Sequence, residues 1–124
     1  MARILVVDDE EIVRFTLRQM LEKEGHEVFE AANGQEALNC FEDSRVNLII
    51  TDIIMPEKEG IETIVELRRR RPDVKIIAVS GGGRTMTMDY LEIAERLGAD
   101  SALAKPLERQ AVVGAVARAL GSSD

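Results

Sequence analysis

Four charged side chains in this sequence follow short apolar runs, and their types suit phosphoryl chemistry. Asp8 and Asp9 close Arg3-Ile4-Leu5-Val6-Val7, Asp52 closes Val46-Asn47-Leu48-Ile49-Ile50-Thr51, and Lys105 follows Ser101-Ala102-Leu103-Ala104. If those runs are neighbouring parallel strands, three carboxylates and one ammonium meet at one edge of a sheet. Carboxylates crowded into one pocket repel one another unless a cation sits among them. The implied chemistry is that of a hard divalent metal beside a carboxylate able to attack phosphorus. Mg²⁺ (or Mn²⁺) fits, because it takes one or two carboxylates, fills out with water and leaves a position for a phosphate oxygen. On this reading Asp9 and Asp52 are direct metal ligands and Asp8 binds directly or through water. The backbone carbonyl of Ile54 is a further ligand. Lys105 offers a point positive charge to one phosphoryl oxygen, and Ser80, ending a fourth run, offers a hydroxyl donor to another.

Hydrophobic periodicity supplies the elements that must position these groups. Short β-branched runs fall at residues 4–7, 27–30, 47–51, 75–79 and 101–104. Helical spacing separates them. Val13, Leu17, Met20 and Leu21 share a face, and Gly25 is placed to be a left-handed C-terminal cap. Asn33 is a good N-cap for a helix carrying Ala37, Leu38 and Phe41. A third helix turns Ile61, Ile64, Val65 and Leu67 inward and ends before Pro72. A fourth, over residues 89–97, has Leu91, Ala94 and Leu97 in phase, with Gly98 as its cap. The last begins after Pro106 and buries Val112, Val116 and Leu120, with Gly114 weakening it. Strict β-α alternation predicts an α/β fold: a five-stranded parallel sheet with helices on both faces. Right-handed crossovers favour strand order 2-1-3-4-5, as in flavodoxin-like folds. Ligands in such sheets bind beyond the carboxyl ends of the strands, at the switch point between strands one and three. That is where Asp8, Asp9 and Asp52 fall.

Bulk properties narrow the class further. The length of 124 residues predicts a single domain, 1–124, large enough for a normal core. An apolar fraction of 45% and a charged fraction of 31% are those of a globular protein. No apolar run approaches the roughly 18 residues that span a bilayer, and the start does not resemble a signal peptide. A lone cysteine, Cys40, cannot form an internal disulfide, so a reducing, cytoplasmic location is expected and no membrane association. The net charge of -7 argues against direct nucleic-acid binding. The tail, Gly121-Ser122-Ser123-Asp124, reads as a frayed end or the start of a linker.

Together the blocks Val6-Val7-Asp8-Asp9-Glu10, Thr51-Asp52-Ile53-Ile54-Met55-Pro56 with Gly60, Val79-Ser80-Gly81 and Lys105-Pro106 resemble the signature of the response-regulator receiver domain, the CheY-like module of two-component signal transduction. Each block alone is common; all of them, in this order on this alternation, are specific. The resemblance runs from Arg3 to about Leu120. It implies that Asp52 is the phosphoacceptor, that Asp8 and Asp9 are metal-site acids, that Ser80 is a switching hydroxyl and that Lys105 pairs with the phosphoryl group. It also implies a phosphohistidine donor, on a sensor histidine kinase or a histidine phosphotransfer protein, and a downstream protein partner or an effector domain lying outside this sequence. The module would catalyse only its own phosphorylation and dephosphorylation, which is not enzyme activity toward a separate substrate. A metal-dependent phosphohydrolase with an aspartyl-phosphate intermediate is the alternative, but such enzymes place a second acid two residues after the nucleophile, where this chain has Ile54. A flavin carrier of the same sheet order would have a Ser/Thr/Gly-rich loop after strand one instead of Asp8-Asp9-Glu10-Glu11.

Some positions depart from the family pattern. Ala102 stands three residues before Lys105, where receivers commonly carry an aromatic that couples phosphorylation to output. Output is then expected through Ser80 and the loop Gly81-Gly82-Gly83-Arg84-Thr85-Met86-Thr87-Met88, which is longer than usual and predicted to reorganise on phosphorylation. Apolar Ile54 suggests altered dephosphorylation. His26 reads as a surface loop residue without a partner, and Cys40 as packing. The run Arg68-Arg69-Arg70-Arg71 reads as a helix C-terminus complementing the macrodipole. Ile12 and Phe15 lie off the buried stripe of the first helix, beside the acid pocket. They are either partly covered by neighbouring loops or an apolar docking patch for the helices of a phosphotransfer partner.

Overall fold

The alternation of short apolar runs and amphipathic helices resolves into a doubly wound sheet. A computed structural model describes residues 2–53, 59–80, 92, 95, 96 and 98–121. The strands are β1 (Arg3–Val7), β2 (Glu27–Ala31), β3 (Leu48–Asp52), β4 (Lys75–Ser80) and β5 (Ser101–Ala104). Four helices are described: α1 (Glu11–Lys23), α2 (Gly34–Ser44), α3 (Glu59–Arg70) and α4 (Arg109–Ala119). Between β4 and β5, Glu92, Glu95 and Arg96 are helical, within the segment expected to form a helix. The expected apolar face of that segment, Leu91, Ala94 and Leu97, lies outside the described residues, as do Ile54 and the loop 81–88.

All strands are parallel, in the order β2-β1-β3-β4-β5 expected from the sequence. Side chains alternate across a strand, so each buried strand feeds two cores. Leu5, Val7, Ile49, Ile76 and Ala78 pack with Ala37 and Phe41 of α2 and with Ile64 and Leu67 of α3. Ile4, Val6, Leu48, Ile50, Ile77 and Val79 pack on the other face with Leu17 and Leu21 of α1 and with Val112, Ala115 and Val116 of α4. Central strands buried on both faces explain why their sequences are continuously apolar rather than alternating.

Helix ends follow the local chemistry. The Asn33 side chain accepts from Glu36 N–H at 2.9 Å, and Glu36 Oε1 accepts from Ala32 N–H at 2.8 Å, which closes the start of α2. Gly25, at φ 90°, ends α1 with its N–H on Glu22 C=O and the N–H of His26 on Leu21 C=O. Two expectations need correction. Val65 is 47% exposed, and Thr63 is buried in its place, because the face of α3 that meets the sheet is set by Ile64 and Leu67. His26 is half-buried rather than free: its Nδ1 accepts the Ala2 N–H at 3.1 Å, joining the α1–β2 turn to the start of β1.

Candidate functional site

Each site residue stands at the carboxyl end of a strand or within two residues beyond it, so pairing of the backbone governs its place. Asp8 follows β1 and continues the ladder through its N–H to Ala31 C=O at 3.1 Å. Asp52 is the last residue of β3, paired with Val79. Lys105 follows β5, and its backbone N–H donates to Ser80 C=O at 2.8 Å. These contacts bring Asp8, Asp9 and Asp52 together, with one carboxylate oxygen of each within 4.8 Å of the others.

Burial and charge set the character of the pocket. Asp8 is 2% exposed and Asp52 4%, whereas Asp9 is open to solvent. Lys105 Nζ lies 3.0 Å from Asp8 Oδ2 and 3.1 Å from Asp52 Oδ2, with Glu10 Oε1 at 4.0 Å. Burial works to lower the Lys105 pKa, but hydrogen bonds and charge from Asp8 and Asp52 together outweigh it, so the ammonium is held above its usual range. The other oxygen of Asp8 accepts Glu10 N–H at 2.9 Å, just before α1 begins. Asp8, Asp9 and Asp52 against one ammonium leave two negative charges, and Glu10 at the rim adds a third, enough to match one divalent cation. A hard-oxygen donor set that combines buried and solvent-facing acids suits Mg²⁺, which keeps part of its water shell. The expected carbonyl ligand, Ile54, lies outside the described residues.

Ser80 ends β4, one strand from Asp52. It is fully buried, and its hydroxyl has no hydrogen-bond partner among the described residues. An unmatched buried hydroxyl is costly, and it is available to a new acceptor at this edge.

Arg14 was not singled out by the sequence, and Arg68 only as one of four arginines complementing a helix C-terminus. Arg14, in the second turn of α1, donates to the Asp8 backbone carbonyl at 2.8 Å and to Glu30 at 3.1 Å. Arg68 donates to the carbonyls of Pro72 and Val74, each at 2.7 Å, to Gly98 C=O at 2.5 Å, and to Asp100 at 3.0 Å. Neither has a local signature, since their acceptors are distant in sequence. The rest of the arginine run is also engaged: Arg69 and Arg70 hold Glu66 down to about 2, Arg70 reaches Glu42, and Arg71 sits over the Phe41 ring. That is a set of internal and surface pairings rather than a free basic patch. Ile12 is 68% and Phe15 50% exposed. Ile12 lines an apolar groove of about 200 Å³ with Val13, Thr16, Lys105, Pro106 and Leu107, against the acid pocket.

A parallel sheet of this order, with acids at its switch point, defines the flavodoxin-like class and within it the CheY-like arrangement. Residues 4–117 match the response regulator receiver domain, and the chain belongs to that family. It is 38% identical over 122 residues to the DNA-binding transcriptional regulator NtrC of Azospirillum brasilense, covering 98% of this chain but 25% of that protein. It is 35% identical over 116 residues to the chemotaxis protein CheY of Thermotoga maritima, covering 92% of this chain and 93% of CheY. A receiver-domain crystal structure from Clostridium thermocellum superposes with a TM-score of 0.89 at 30% identity, covering 98% and 96% of the two chains. Receiver domains are signalling modules of two-component systems rather than classical enzymes, and the match does not favour the phosphohydrolase alternative. Among the described residues no helix is long and apolar enough to cross a membrane.

Proposed function

We propose that this chain is a single phosphorylation-switched receiver unit in a cytoplasmic phosphorelay, accepting a phosphoryl group on Asp52. The observation that carries the reading is the Lys105 ammonium lying between Asp8 and Asp52 at 3.0 and 3.1 Å, with Asp9 completing a surplus of acid around it. Phosphoryl transfer depends mainly on positioning and on neutralising charge at the equatorial oxygens. A carboxylate oxygen of Asp52 forms a bond to phosphorus as the P–N bond of a phosphohistidine donor breaks. The bonding pair leaves on the imidazole nitrogen, which takes up a proton. Lys105 then exchanges its bond to the Asp52 carboxylate for one to a phosphoryl oxygen. Asp8, Asp9, Asp52 and the Ile54 carbonyl are the groups that would hold Mg²⁺ or Mn²⁺, whose charge offsets that of the incoming phosphoryl group. Attack of water on phosphorus returns the Asp52 carboxylate and inorganic phosphate.

The Ser80 hydroxyl, buried and without a partner among the described residues, is suited to donate to a phosphoryl oxygen and so to carry the change beyond the site. An acyl phosphate adds about -1.5 to -2 charge and strong acceptors, enough to bias a two-state element. With Ala102 in the usual aromatic position, the loop 81–88 is the element assigned to respond. Ile12, Phe15 and the groove beside Lys105 are assigned to the helices of the histidine kinase or histidine phosphotransfer donor, because they border the site where the phosphoryl group must arrive. The output acts on a protein partner or on an effector domain of a longer chain. Mass spectrometry after incubation with acetyl phosphate and Mg²⁺ tests the site: one phosphoryl group is expected on the wild type and none on Asp52→Asn. Equal labelling of both would overturn the assignment of Asp52.

A further inference from the structure

Asp9 is the exposed member of the acid cluster and has no side-chain hydrogen bond or ion pair among the described residues. Its carboxylate is therefore placed by its backbone. The peptide between Asp8 and Asp9 is planar, so whatever fixes the Asp8 carbonyl also fixes the Asp9 N–H and the position of the Asp9 Cα from which its side chain departs. The group on that carbonyl is the Arg14 guanidinium, at 2.8 Å.

Arg14 is itself seated. Its Nε donates to Glu30 Oε1 at 3.1 Å, and Arg18 Nε takes the second Glu30 oxygen at 2.6 Å. Glu30 lies on β2 opposite Val6, two residues before Asp8, so the anchor belongs to the sheet and not to a mobile surface. The Arg14 side chain is 17% exposed and Glu30 28%, which favours a defined geometry over a screened surface pair. A planar fork with two acceptors in different elements constrains direction as well as distance.

We propose that Arg14, anchored by Glu30, is a positioning residue for the acid pocket: it orients the Asp8–Asp9 peptide and thereby the carboxylates that take a divalent cation. The inference rests on the metal-assisted reading above. Outer partners of metal ligands typically change affinity about 10- to 100-fold when removed. The sign of the effect separates positioning from charge. Loss of a positive charge beside the pocket would, by electrostatics alone, tighten binding of a cation. Loss of geometry weakens it.

The test is Mn²⁺ binding followed by electron paramagnetic resonance, with Mg²⁺ measured by competition. Arg14→Gln is expected to weaken both ions by about 10-fold or more. Arg14→Lys is expected to remain weak, since one ammonium cannot hold both acceptors at the angles of the fork. Glu30→Gln, a gentler change that unseats Arg14 without removing it, is expected to weaken binding by less. Arg109→Gln, which cuts the ion pair to Glu24 at the far end of α1, is expected to leave affinity within about twofold. Arg14→Gln and Glu30→Gln variants that fold, by circular dichroism, and bind as tightly as the wild type or more tightly would overturn the proposal. So would full recovery in Arg14→Lys. A wild type that binds neither ion would instead overturn the metal-assisted reading on which the proposal rests.

Discussion

The two edges of the sheet handle charge in opposite ways. At the amino edge the charged groups are matched internally, although the Ser101 hydroxyl at the start of β5 is buried without a partner among the described residues. Arg68 meets three carbonyls and Asp100, Asn47 Oδ1 accepts Arg3 N–H at 2.8 Å, and His26 accepts Ala2 N–H. Even the backbone is shaped to fit: Gly98 sits at φ 122°, and a Cβ there would come within 3.3 Å of Arg68 Nε. At the carboxyl edge the books do not balance. The clustered acids Asp8, Asp9 and Asp52 share one lysine, and the Ser80 hydroxyl is buried without a partner among the described residues. An edge whose charges are matched holds strands in register; an edge left with surplus charge beside an idle donor is suited to receive a charged ligand. Strain left at one end of a fold and compensated elsewhere is what a functional site costs.

Removing the central cation of each edge should therefore hurt in different ways. Arg68→Ala strands three carbonyls and one carboxylate, and is expected to destabilise by about 3 kcal/mol in urea unfolding. Lys105→Ala leaves Asp8 and Asp52, at 2% and 4% exposure, without their ammonium, with a loss of similar order, about 3 kcal/mol. Millimolar Mg²⁺ should recover much of the second loss and almost none of the first, because among the described residues the acids arranged to take a cation lie at the carboxyl edge. Equal responses of the two variants to Mg²⁺ would erase the distinction between the edges.

How much of this was legible beforehand follows the same division. The carboxyl edge was readable because each of its residues sits immediately after an apolar run, and parallel pairing puts such positions side by side; Asp8, Asp52 and Lys105 needed no knowledge of long-range geometry. The two-faced core followed from alternation, and the strand order from alternation together with the right-handedness of the crossovers. The amino edge was opaque. Four consecutive arginines look alike in sequence, and only the path of the chain after α3 makes Arg68 the one that meets Val74, Gly98 and Asp100. His26 was misread because its partner, the Ala2 N–H, is 24 residues away. Val65 and Thr63 exchanged roles because a one-residue rotation of a helix face is smaller than apolar spacing can resolve. Arg14 lay within the reading frame of the site, yet its worth depends on Glu30 across two elements.

A smaller test concerns the backbone at the amino edge. Arg45 ends α2 with φ 54° and ψ 46°, a left-handed conformation that a side chain disfavours, and it is the only such non-glycine among the described residues. Arg45→Gly relieves the backbone at the expense of a more flexible unfolded chain. The net expectation is a gain of about 0.5–1 kcal/mol in urea unfolding, with Mg²⁺ affinity unchanged because the substitution is at the opposite edge.

The weakest effect expected belongs to His26. Its Nδ1 accepts a hydrogen bond, so the neutral ring carries its proton on Nε2, and protonation would set an N–H against the N–H of Ala2. Burial lowers its pKa from the ordinary 6.5, while Glu24 pulls in the other direction. A lowered pKa means that the unfolded chain binds the proton more readily than the folded one. The contribution of His26 is then complete above pH 6.5 and declines as the pH falls through the folded-state value. Partial exposure keeps it to the lower end of a hydrogen bond's net worth, about 0.5 kcal/mol. Urea unfolding at pH values on either side of 6.5 should show the wild type losing that much more than His26→Gln, whose side-chain carbonyl can accept from Ala2 without titrating. Identical pH dependence in the two proteins would mean that the amino edge is closed by backbone pairing alone, and that the imidazole is a bystander to it.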